Sequence, residues 1–262
     1  MTQNKQLSDH YIRSLNRNII LIIIVVSVIP LILVSSTIYF QFRASYHEKV
    51  NDHLRELVQS HAQNIDHFLQ EKLSDIRFLS DSYGRDKLED ESILKERLAA
   101  LQKGFGQDFV DLGVINAAGE QIAYAGPFKL EGKNYSKQAW FVECQKYNFY
   151  VSGIFRGYRD LPHIIIAVKS FRPDGTHFIL RATLETERLI QTLSSYETGE
   201  HADIFLTNRS GFIQTPSKYY GDIFEKMALP VPDFAPKTET IMAIDGQRRS
   251  IITGYAFIST QI

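Results

Sequence analysis

The sequence predicts an α+β protein in which an N-terminal transmembrane helix continues into a long stalk helix, followed by two tandem α/β modules with antiparallel sheets. Three observations carry this prediction. Residues 19–42 contain no charged side chain, and residues 45–82 place apolar residues at helical spacing without Pro or Gly. The remainder alternates short strand patterns with turn residues, which is typical of small antiparallel sheets.

The uncharged segment 19–42 has the properties of a membrane span. As a helix it is long enough to cross a hydrocarbon core of about 30 Å, and Arg17 and Arg43 flank it. Pro30 is tolerated because neighbouring turns can satisfy the backbone group that it leaves without a donor. A soluble core helix rarely stays apolar all round over this length, and a cleavable signal peptide would have a shorter apolar run and an Ala-x-Ala site. We therefore predict an uncleaved signal anchor.

The charges around this segment predict its orientation. Residues 1–18 carry Lys5, Arg13 and Arg17 against Asp9, so the positive-inside rule predicts a cytoplasmic tail. The span is then residues 19–42 in a bacterial inner membrane. The chain from residue 43 onward is predicted to lie on the periplasmic or extracellular side.

Composition limits the possible functions. The net charge is −1 and no basic patch occurs, which argues against nucleic acid as a partner. The single cysteine, Cys144, excludes an internal disulfide, and its apolar neighbours predict a core position. There is no Gly-rich phosphate loop, Gly-x-Ser-x-Gly elbow, paired-His zinc motif or Cys cluster. The sequence therefore predicts no catalytic residue, cofactor or metal.

Two groups of titratable residues could suggest a site, the stalk histidines a zinc site and two aspartates an acid–base pair. Zinc-binding histidines on a helix stand at positions i and i+4, a spacing that the stalk histidines lack. We expect these to be polar-face or seam residues: His47, His53, His61 and His67. Asp108 and Asp111 flank a predicted strand, where they are expected to be solvated ends rather than an acid–base pair.

Residues 43–82 form the predicted stalk helix, with an apolar seam that resumes at Ile65 after a stutter. Two interpretations remain open, a stalk that pairs with a second copy and a helix packed along its own domain, and the two can coexist. Ser82-Tyr83-Gly84 is expected to end this helix, and residues 91–105 to form a second amphipathic helix.

Residues 83–184 form the predicted membrane-distal module. Strand patterns occupy residues 109–115, 120–125, 150–155, 162–171 and 176–184, and residues 116–119 and 173–175 supply turns. A short helix is expected within residues 134–147. The prediction is a five-stranded, mainly antiparallel sheet with helices to one side.

Residues 185–262 form the predicted membrane-proximal module. A helix is expected at 185–193, strands at 202–207 and 212–215, and a hairpin of 238–244 with 250–258 around residues 245–247. The strand–turn phrases at 114–119 and 205–211 resemble each other. This weak internal repetition is consistent with two related modules.

Several residues of the distal module could form a small-ligand pocket, which needs apolar walls and a few convergent polar groups. The aromatic candidates can supply walls with polar tips, and Ser152 shares a strand face with one of them. Arg159 and His163 could meet an anionic group. The alternatives are core filling for the aromatic residues, solvation for Arg159 and a sheet-end role for His163. The aromatic candidates are Tyr124, Tyr135, Trp140 and Tyr150.

Residues 43–262 resemble the double Cache sensor domains, two PAS-like modules in tandem, of bacterial transmembrane receptors. Several phrases are more narrowly similar to exported sensors of envelope histidine kinases, namely residues 132–135, 140–141, 150–152, 162–168 and 180–183. Amino-acid-binding members have an Arg two positions before a Trp-aromatic pair, and here that position is Gln138. Trp140 matches the family's pocket aromatic, and Phe141 takes the next position without a hydroxyl.

The resemblance implies that the distal module binds a small molecule but does not identify it. We expect an organic acid, an amine or an amino-acid-like compound. We expect a homodimer through the stalk helix. The resemblance implies that this helix carries the signal inward, and that a second span and a kinase follow residue 262. The chain is then expected to be a fragment. The same sensor in a chemoreceptor or a cyclic-dinucleotide enzyme is a second hypothesis, and an anchored envelope enzyme or structural protein is a third.

Overall fold

The computed structural model describes residues 2–172, 174–194, 202–233, 238–244 and 250–259. The chain divides into two compact units, Met1–Leu54 and Arg55–Ile262. Helix α1 (Thr2–Leu88) includes residues of both units.

The first unit consists of the N-terminal part of α1, and Pro30 lies inside this helix without ending it. In the part of the chain that the structure describes, α1 is the one helix long and apolar enough to cross a membrane. Its apolar window has a mean hydropathy of 2.4 and contains no buried residue. Exposed Leu, Ile and Val side chains at this density form a continuous apolar surface along the helix.

The expected helix break at Ser82-Tyr83-Gly84 is wrong, because α1 continues to Leu88. A glycine inside a helix costs about 1 kcal/mol, and local contacts offset this. Arg97 donates a hydrogen bond to the Tyr83 hydroxyl at 2.6 Å, and the Leu88 side chain is fully buried. Helix α2 (Glu91–Phe105) confirms the second predicted helix.

The C-terminal half of α1 packs along its own domain. One stripe of its side chains belongs to the main hydrophobic core: Ile65, Leu69, Leu73, Ile76 and Leu79. Phe78, on another side of the same helix, is 72% exposed. Of the two interpretations of the stalk, packing along the domain is therefore observed for this half.

A six-stranded sheet forms the centre of the second unit. Its strands are β1 (Phe109–Asn116), β2 (Gln121–Ala125), β3 (Phe149–Val151), β4 (Phe155–Arg156), β5 (Pro162–Phe171) and β6 (His177–Glu185). Their order is β2-β1-β6-β5-β3, with β4 beside β5, and every pairing is antiparallel.

The predicted strand 150–155 is two strands, which corrects the expected count of five. Side chains interrupt the ladder between them. The Ile165 backbone N–H donates to Ser152 Oγ at 2.8 Å, and the Ile154 N–H donates to Gln214 Oε1 at 2.7 Å. Because these side chains take up backbone hydrogen-bonding groups, regular pairing with β5 stops after Val151. It resumes at Phe155 as β4.

The sheet carries a core on each face, so the expectation of helices on one side only is also wrong. Ile164, Ile166 and the α1 stripe belong to one core. Ile165 and Ala167 belong to the other, together with residues of α3 (Ala139–Lys146). The alternation along β5 is the period of two that a strand covered on both faces requires.

The two similar turn phrases adopt the same local structure. Asn116 Oδ1 accepts hydrogen bonds from the N–H groups of residues 118 and 120, and Gly119 has a φ of 87°. Asn208 Oδ1 accepts from the N–H groups of residues 210 and 212, and Gly211 has a φ of 80°. An Asx turn followed by a left-handed glycine therefore occurs in both predicted modules.

The C-terminal part is only partly regular in the described ranges. Helix α4 (Glu187–Ser194) and the hairpin of β7 (Glu239–Ile244) and β8 (Ser250–Tyr255) confirm two predicted features. The hairpin turn at 245–247 lies outside the described residues. The expected strands 202–207 and 212–215 are instead isolated bridges such as Thr207↔Ile213. Side chains again take backbone groups, since Leu206 N–H donates to Thr215 Oγ1 at 2.9 Å.

The packing of α1 gives a first prediction. Ile76→Ala should lower the free energy of unfolding by about 2–5 kcal/mol, because the side chain is fully buried in the core. Phe78→Ala is the control, with an expected change within about 0.5 kcal/mol. Urea denaturation of the detergent-solubilised chain measures both. Equal effects of the two substitutions would contradict the packing described here.

Candidate functional site

A small cavity opens on the face of the sheet that α3 covers. Its lining combines aromatic, cationic and neutral polar side chains. The lining residues are Leu130, Tyr135, Gln138, Trp140, Phe155, Gly157, Tyr158, Arg159, His163, Ile165 and Arg181.

The strand period explains which sheet residues reach the cavity. Ile165 pairs with Thr183 across β5 and β6, and Ala167 pairs with Arg181. Residues at these odd-numbered positions share one face, so Ile165 and Arg181 form part of the floor while their even-numbered neighbours enter the opposite core. A slip of one residue would reverse this arrangement.

Aromatic rings form the walls. The Tyr135 ring lies 5.3 Å from that of Trp140 and 5.3 Å from that of Tyr158, measured between centroids. Tyr135 and Trp140 are buried, whereas Tyr158 is half exposed and donates to the Asn134 carbonyl at 2.8 Å. Tyr158 therefore forms the outer part of the wall.

A buried charge cluster lies beneath the walls. Asp111 is fully buried, and its Oδ1 accepts from Arg181 Nη2 at 2.9 Å and from Thr183 Oγ1 at 2.6 Å. Arg159 Nη1 lies 3.8 Å from Asp111 Oδ2. Both guanidinium side chains are only 2% exposed. Gly113 lies opposite Arg181 in the register, and a Cβ there would lie 2.6 Å from Gln121 Oε1 and 3.3 Å from Arg181 Nε, so both side chains pack closely against the bare glycine.

The two cations outnumber the acid that they share. Glu185 lies 3.7 Å from Arg159 Nη2, but its side chain is 41% exposed and it does not line the cavity. Arg159 Nε and Nη1 and the Tyr135 hydroxyl are buried without a hydrogen-bond partner among the described residues. Buried donors of this kind are the groups that a bound acceptor would satisfy.

The environment sets the protonation of the neutral side chains. Burial, the largest cause, lowers the pKa of His163, and the nearby Arg159 and Arg181 lower it further. Its Nδ1 lies 2.7 Å from the Leu161 carbonyl, so the neutral ring donates from Nδ1 and leaves Nε2 as an acceptor. Burial also raises the pKa of Tyr135, which keeps the phenol protonated at neutral pH.

The structure brings four of the predicted site residues together at the cavity: Tyr135, Trp140, Arg159 and His163. The other four do not line it. Phe141 packs behind Trp140 at 5.9 Å between ring centroids. Tyr124 lies behind the cluster, with its hydroxyl 3.4 Å from Asp111, and Ser152 bonds the sheet backbone. Tyr150 is partly buried against the α3-side core.

Sequence reasoning missed Asp111, Arg181 and Tyr158, and expected Asp108 and Asp111 to be solvated. Both aspartates are buried, at 5% and 0% exposure. Asp108 pairs with the buried Lys72 at 3.1 Å. The available signal was a charged residue inside each of two apolar strands, since buried charges of opposite sign are expected to pair.

No protein-family model matches this sequence. No curated protein matches it either. In the described ranges no group of three or more His, Cys, Asp or Glu side chains could hold a metal ion.

Solved structures match the fold of the chain. The ligand-binding domain of the Pseudomonas fluorescens chemoreceptor CtaA, in complex with L-isoleucine, has a TM-score of 0.64 and 16% identity, covering 85% of this chain and 91% of that one. The ligand-binding domain of the Pseudomonas aeruginosa amino acid chemoreceptor PctC, in complex with GABA, has a TM-score of 0.62 and 17% identity, covering 81% of this chain and 94% of that one.

The extracellular domain of a candidate histidine kinase, rpHK1S-Z16, has a TM-score of 0.62 and 16% identity, covering 80% of this chain and 90% of that one. The matched proteins are ligand-binding sensor domains of chemoreceptors and histidine kinases. The chain thus has the α+β fold of extracellular sensor domains, as its resemblance to Cache domains implied.

The buried imidazole gives a second prediction. His163 has a lowered pKa in the folded state, so the unfolded chain binds its proton first as the pH falls. Stability is therefore full above the unfolded value of 6.5 and falls as the pH drops from there toward the folded pKa. Thermal melts between pH 8 and pH 5, at about 0.15 M salt, should show this fall.

His163→Gln should reduce the fall, whatever its effect on stability at pH 8. His67→Gln, at an exposed position of α1, is the matched control, and His163→Gln should change the pH dependence more than this variant does. Some fall should persist in His163→Gln, since burial also lowers the pKa of His61 and His177. If the melting temperature of His163→Gln fell with pH as steeply as that of the wild type, His163 would not contribute to the pH dependence of stability.

Proposed function

We propose that this chain is the extracytoplasmic small-molecule-sensing domain of a membrane-bound sensor histidine kinase of a two-component system. The observation that carries the proposal is the cavity, with aromatic walls and two buried guanidinium groups inside a sensor-domain fold. Such convergence of apolar walls and a few polar groups is the property of ligand sites. The ligand class proposed from the sequence is an organic acid, an amine or an amino-acid-like compound.

We propose that residues 19–42 anchor the chain in the bacterial plasma membrane, with residues 1–18 in the cytoplasm. The long apolar window of α1 and the basic residues before it support this placement. The proposed division of the remaining chain is a stalk helix at 43–82, a distal module at 83–184 and a proximal module at 185–262. The paired Asx turns support two related modules.

A histidine kinase is favoured over a chemoreceptor or cyclic-dinucleotide enzyme by the sequence phrases given above. The likeness in fold supports the first two equally, because solved sensor domains of both kinds match. Ligand-dependent autophosphorylation of the native protein that contains this chain distinguishes them. Absence of autophosphorylation in a native protein whose sensor domain binds a ligand would remove the kinase assignment.

The proposed signal passes through β4. Phe155 lines the cavity and lies 4.7 Å from the His163 ring, while its neighbour Arg156 lies 5.1 Å from the Phe224 ring. The preceding Ile154 N–H is held by Gln214. This two-residue strand thus has the cavity on one side and the segment 202–233 on the other. Movement of β4 on ligand binding would displace that segment.

The C-terminal end of the described chain contacts α1. Ser259 donates from both its N–H and its hydroxyl to Asp66 Oδ2, at 3.0 and 2.9 Å. We propose that displacement of the proximal module shifts α1 through this contact and biases a two-state equilibrium of the helix, within a homodimer.

The site gives a third prediction. Tyr158→Ala should weaken binding of any ligand found in a thermal-shift screen by about tenfold or more, because it removes part of the cavity wall. Tyr147→Ala is a matched control, since its 47% exposure equals that of Tyr158 within two points and it does not line the cavity. Calorimetric titration of the detergent-solubilised chain measures both.

Trp140→Ala should likewise abolish ligand-induced thermal stabilisation, with Trp140→Phe as a milder variant that keeps the fold. Full binding by both Tyr158→Ala and Trp140→Phe would move the ligand away from this cavity. Equal losses in Tyr158→Ala and Tyr147→Ala would indicate a nonspecific effect.

The topology gives a fourth prediction. Alkaline phosphatase fused after residue 262 should be active in a Gram-negative host, and green fluorescent protein at the same position should be dark, because both report export. Fusions after residue 18 are the control and should give the reverse result. A fluorescent carboxyl-terminal fusion would contradict the orientation, and a product shortened by the mass of residues 1–42 would indicate a cleaved signal peptide.

A further inference from the structure

We infer that the ligand is a carboxylate with an apolar body and no ammonium group, an organic acid rather than an amino acid. The inference rests on the proposed ligand-binding function and narrows the class of ligand for the same cavity. It follows from the charges that the cavity presents.

The lining presents cations and no anion. Arg159 and Arg181 are its charged side chains, and among the described residues no Asp or Glu lines it. His163 is neutral at pH 7 because burial lowers its pKa. Lys133 adds a cation near the entrance, with its Nζ 5.5 Å from the Tyr158 ring. A ligand carboxylate would therefore meet favourable charge throughout this site.

Both carboxylate oxygens of Asp111, which lies beneath the floor of the cavity, already have partners within the protein. Its Oδ1 accepts from Arg181 and Thr183, and its Oδ2 faces the Tyr124 hydroxyl and Arg159. It is fully buried and does not line the cavity. An ammonium group in the cavity would have two guanidinium neighbours and no free carboxylate, so its desolvation would go uncompensated.

Arg159 has the donors that a carboxylate needs. Its Nε and Nη1 are buried and have no hydrogen-bond partner in the described part of the chain, and the guanidinium lies over the Phe128 ring at 4.2 Å. Its two ion-pair contacts, to Asp111 at 3.8 Å and Glu185 at 3.7 Å, are longer than hydrogen bonds. A planar guanidinium packed against an aromatic ring offers these charged donors to a carboxylate oxygen.

The rest of the lining suits an apolar body. Trp140, Tyr135, Phe155 and Ile165 surround the space, and the buried Tyr135 hydroxyl offers one further donor without a partner among the described residues. Gln138 is uncharged. One part of the cavity is therefore suited to the carboxylate of a ligand, and the rest is suited to the ligand's apolar body.

The test compares molecules that differ only in their charged groups. The probes are 4-methylpentanoate, leucine, 3-methylbutylamine and 4-methylpentanamide, with a second set of 3-phenylpropanoate, phenylalanine and 2-phenylethylamine. Acetate is included as the smallest carboxylate, against sodium chloride of equal ionic strength. Calorimetric titration and thermal melts use the full chain in detergent.

In at least one set the carboxylate should bind at least tenfold more tightly than the matching amino acid, and the amine and amide should not bind. Arg159→Gln should reduce carboxylate affinity at least tenfold. This variant should still fold, because Asp111 keeps Arg181 and Thr183. Arg159→Lys should retain part of the affinity through its charge. Arg156→Gln, on β4 outside the lining, is the control and should bind like the wild type.

An amino acid or amine that binds more tightly than its matching carboxylate overturns the inference and leaves the proposed function standing. The same holds if carboxylate binding is unaffected by Arg159→Gln. If no carboxylate in either set binds and acetate does not stabilise the chain beyond chloride, the inference is also overturned. If a broad screen of other solutes then yields no ligand, the proposed function fails with it.

Discussion

The pairing of Asp111 with Arg181 is the constraint on which the rest of the site depends. The two side chains lie on one face of adjacent antiparallel strands, and both are almost completely removed from water. A buried carboxylate or guanidinium without a partner costs several kcal/mol. A shift of register in either strand would separate the pair and incur that cost. The pair therefore fixes which residues of β1 and β6 face α3. By fixing the register it also fixes the floor of the cavity.

The same cluster explains why the cavity has a net positive lining. One acid serves two guanidinium groups, and Thr183 and Tyr124 use further acceptor sites of that acid. Arg159 is held by a ring and by two long ion-pair contacts, and it keeps buried donors that no described residue satisfies. A site of this kind is preorganised for an acceptor, because the protein has already met the cost of ordering the guanidinium.

Side chains that replace backbone partners shape the connection from the cavity to the C-terminal part. Ser152 and Gln214 take the backbone N–H groups of Ile165 and Ile154, and this leaves β4 as a two-residue strand. A strand held by few ladder hydrogen bonds moves at a lower cost than the long pair β5 and β6. Its residues contact His163 at the cavity and Phe224 outside it, so the proposed movement would be felt on both sides of the strand.

Much of the fold could be predicted from the sequence, and four of the eight predicted site residues line the cavity. Helix α2, the turn residues Asn116 and Asn208, and the cavity residues Trp140 and Arg159 follow from local patterns. The missed residues share a different property. Arg181 and Asp111 are far apart in the chain, and neither has a local pattern that reports its partner.

The sequence by itself determined the apolar N-terminal segment, the helical and strand periods, and the glycines that complete the Asx turns, because each depends on neighbours within a few residues. Tertiary structure alone decided that α1 continues past Gly84, that a six-stranded sheet has a core on each face, and that Asp111 is buried. The physical reason is that burial and ion pairing are properties of strands brought together across the sheet. Only the assembled sheet determines which charged side chains are buried away from water and therefore need a partner of opposite charge.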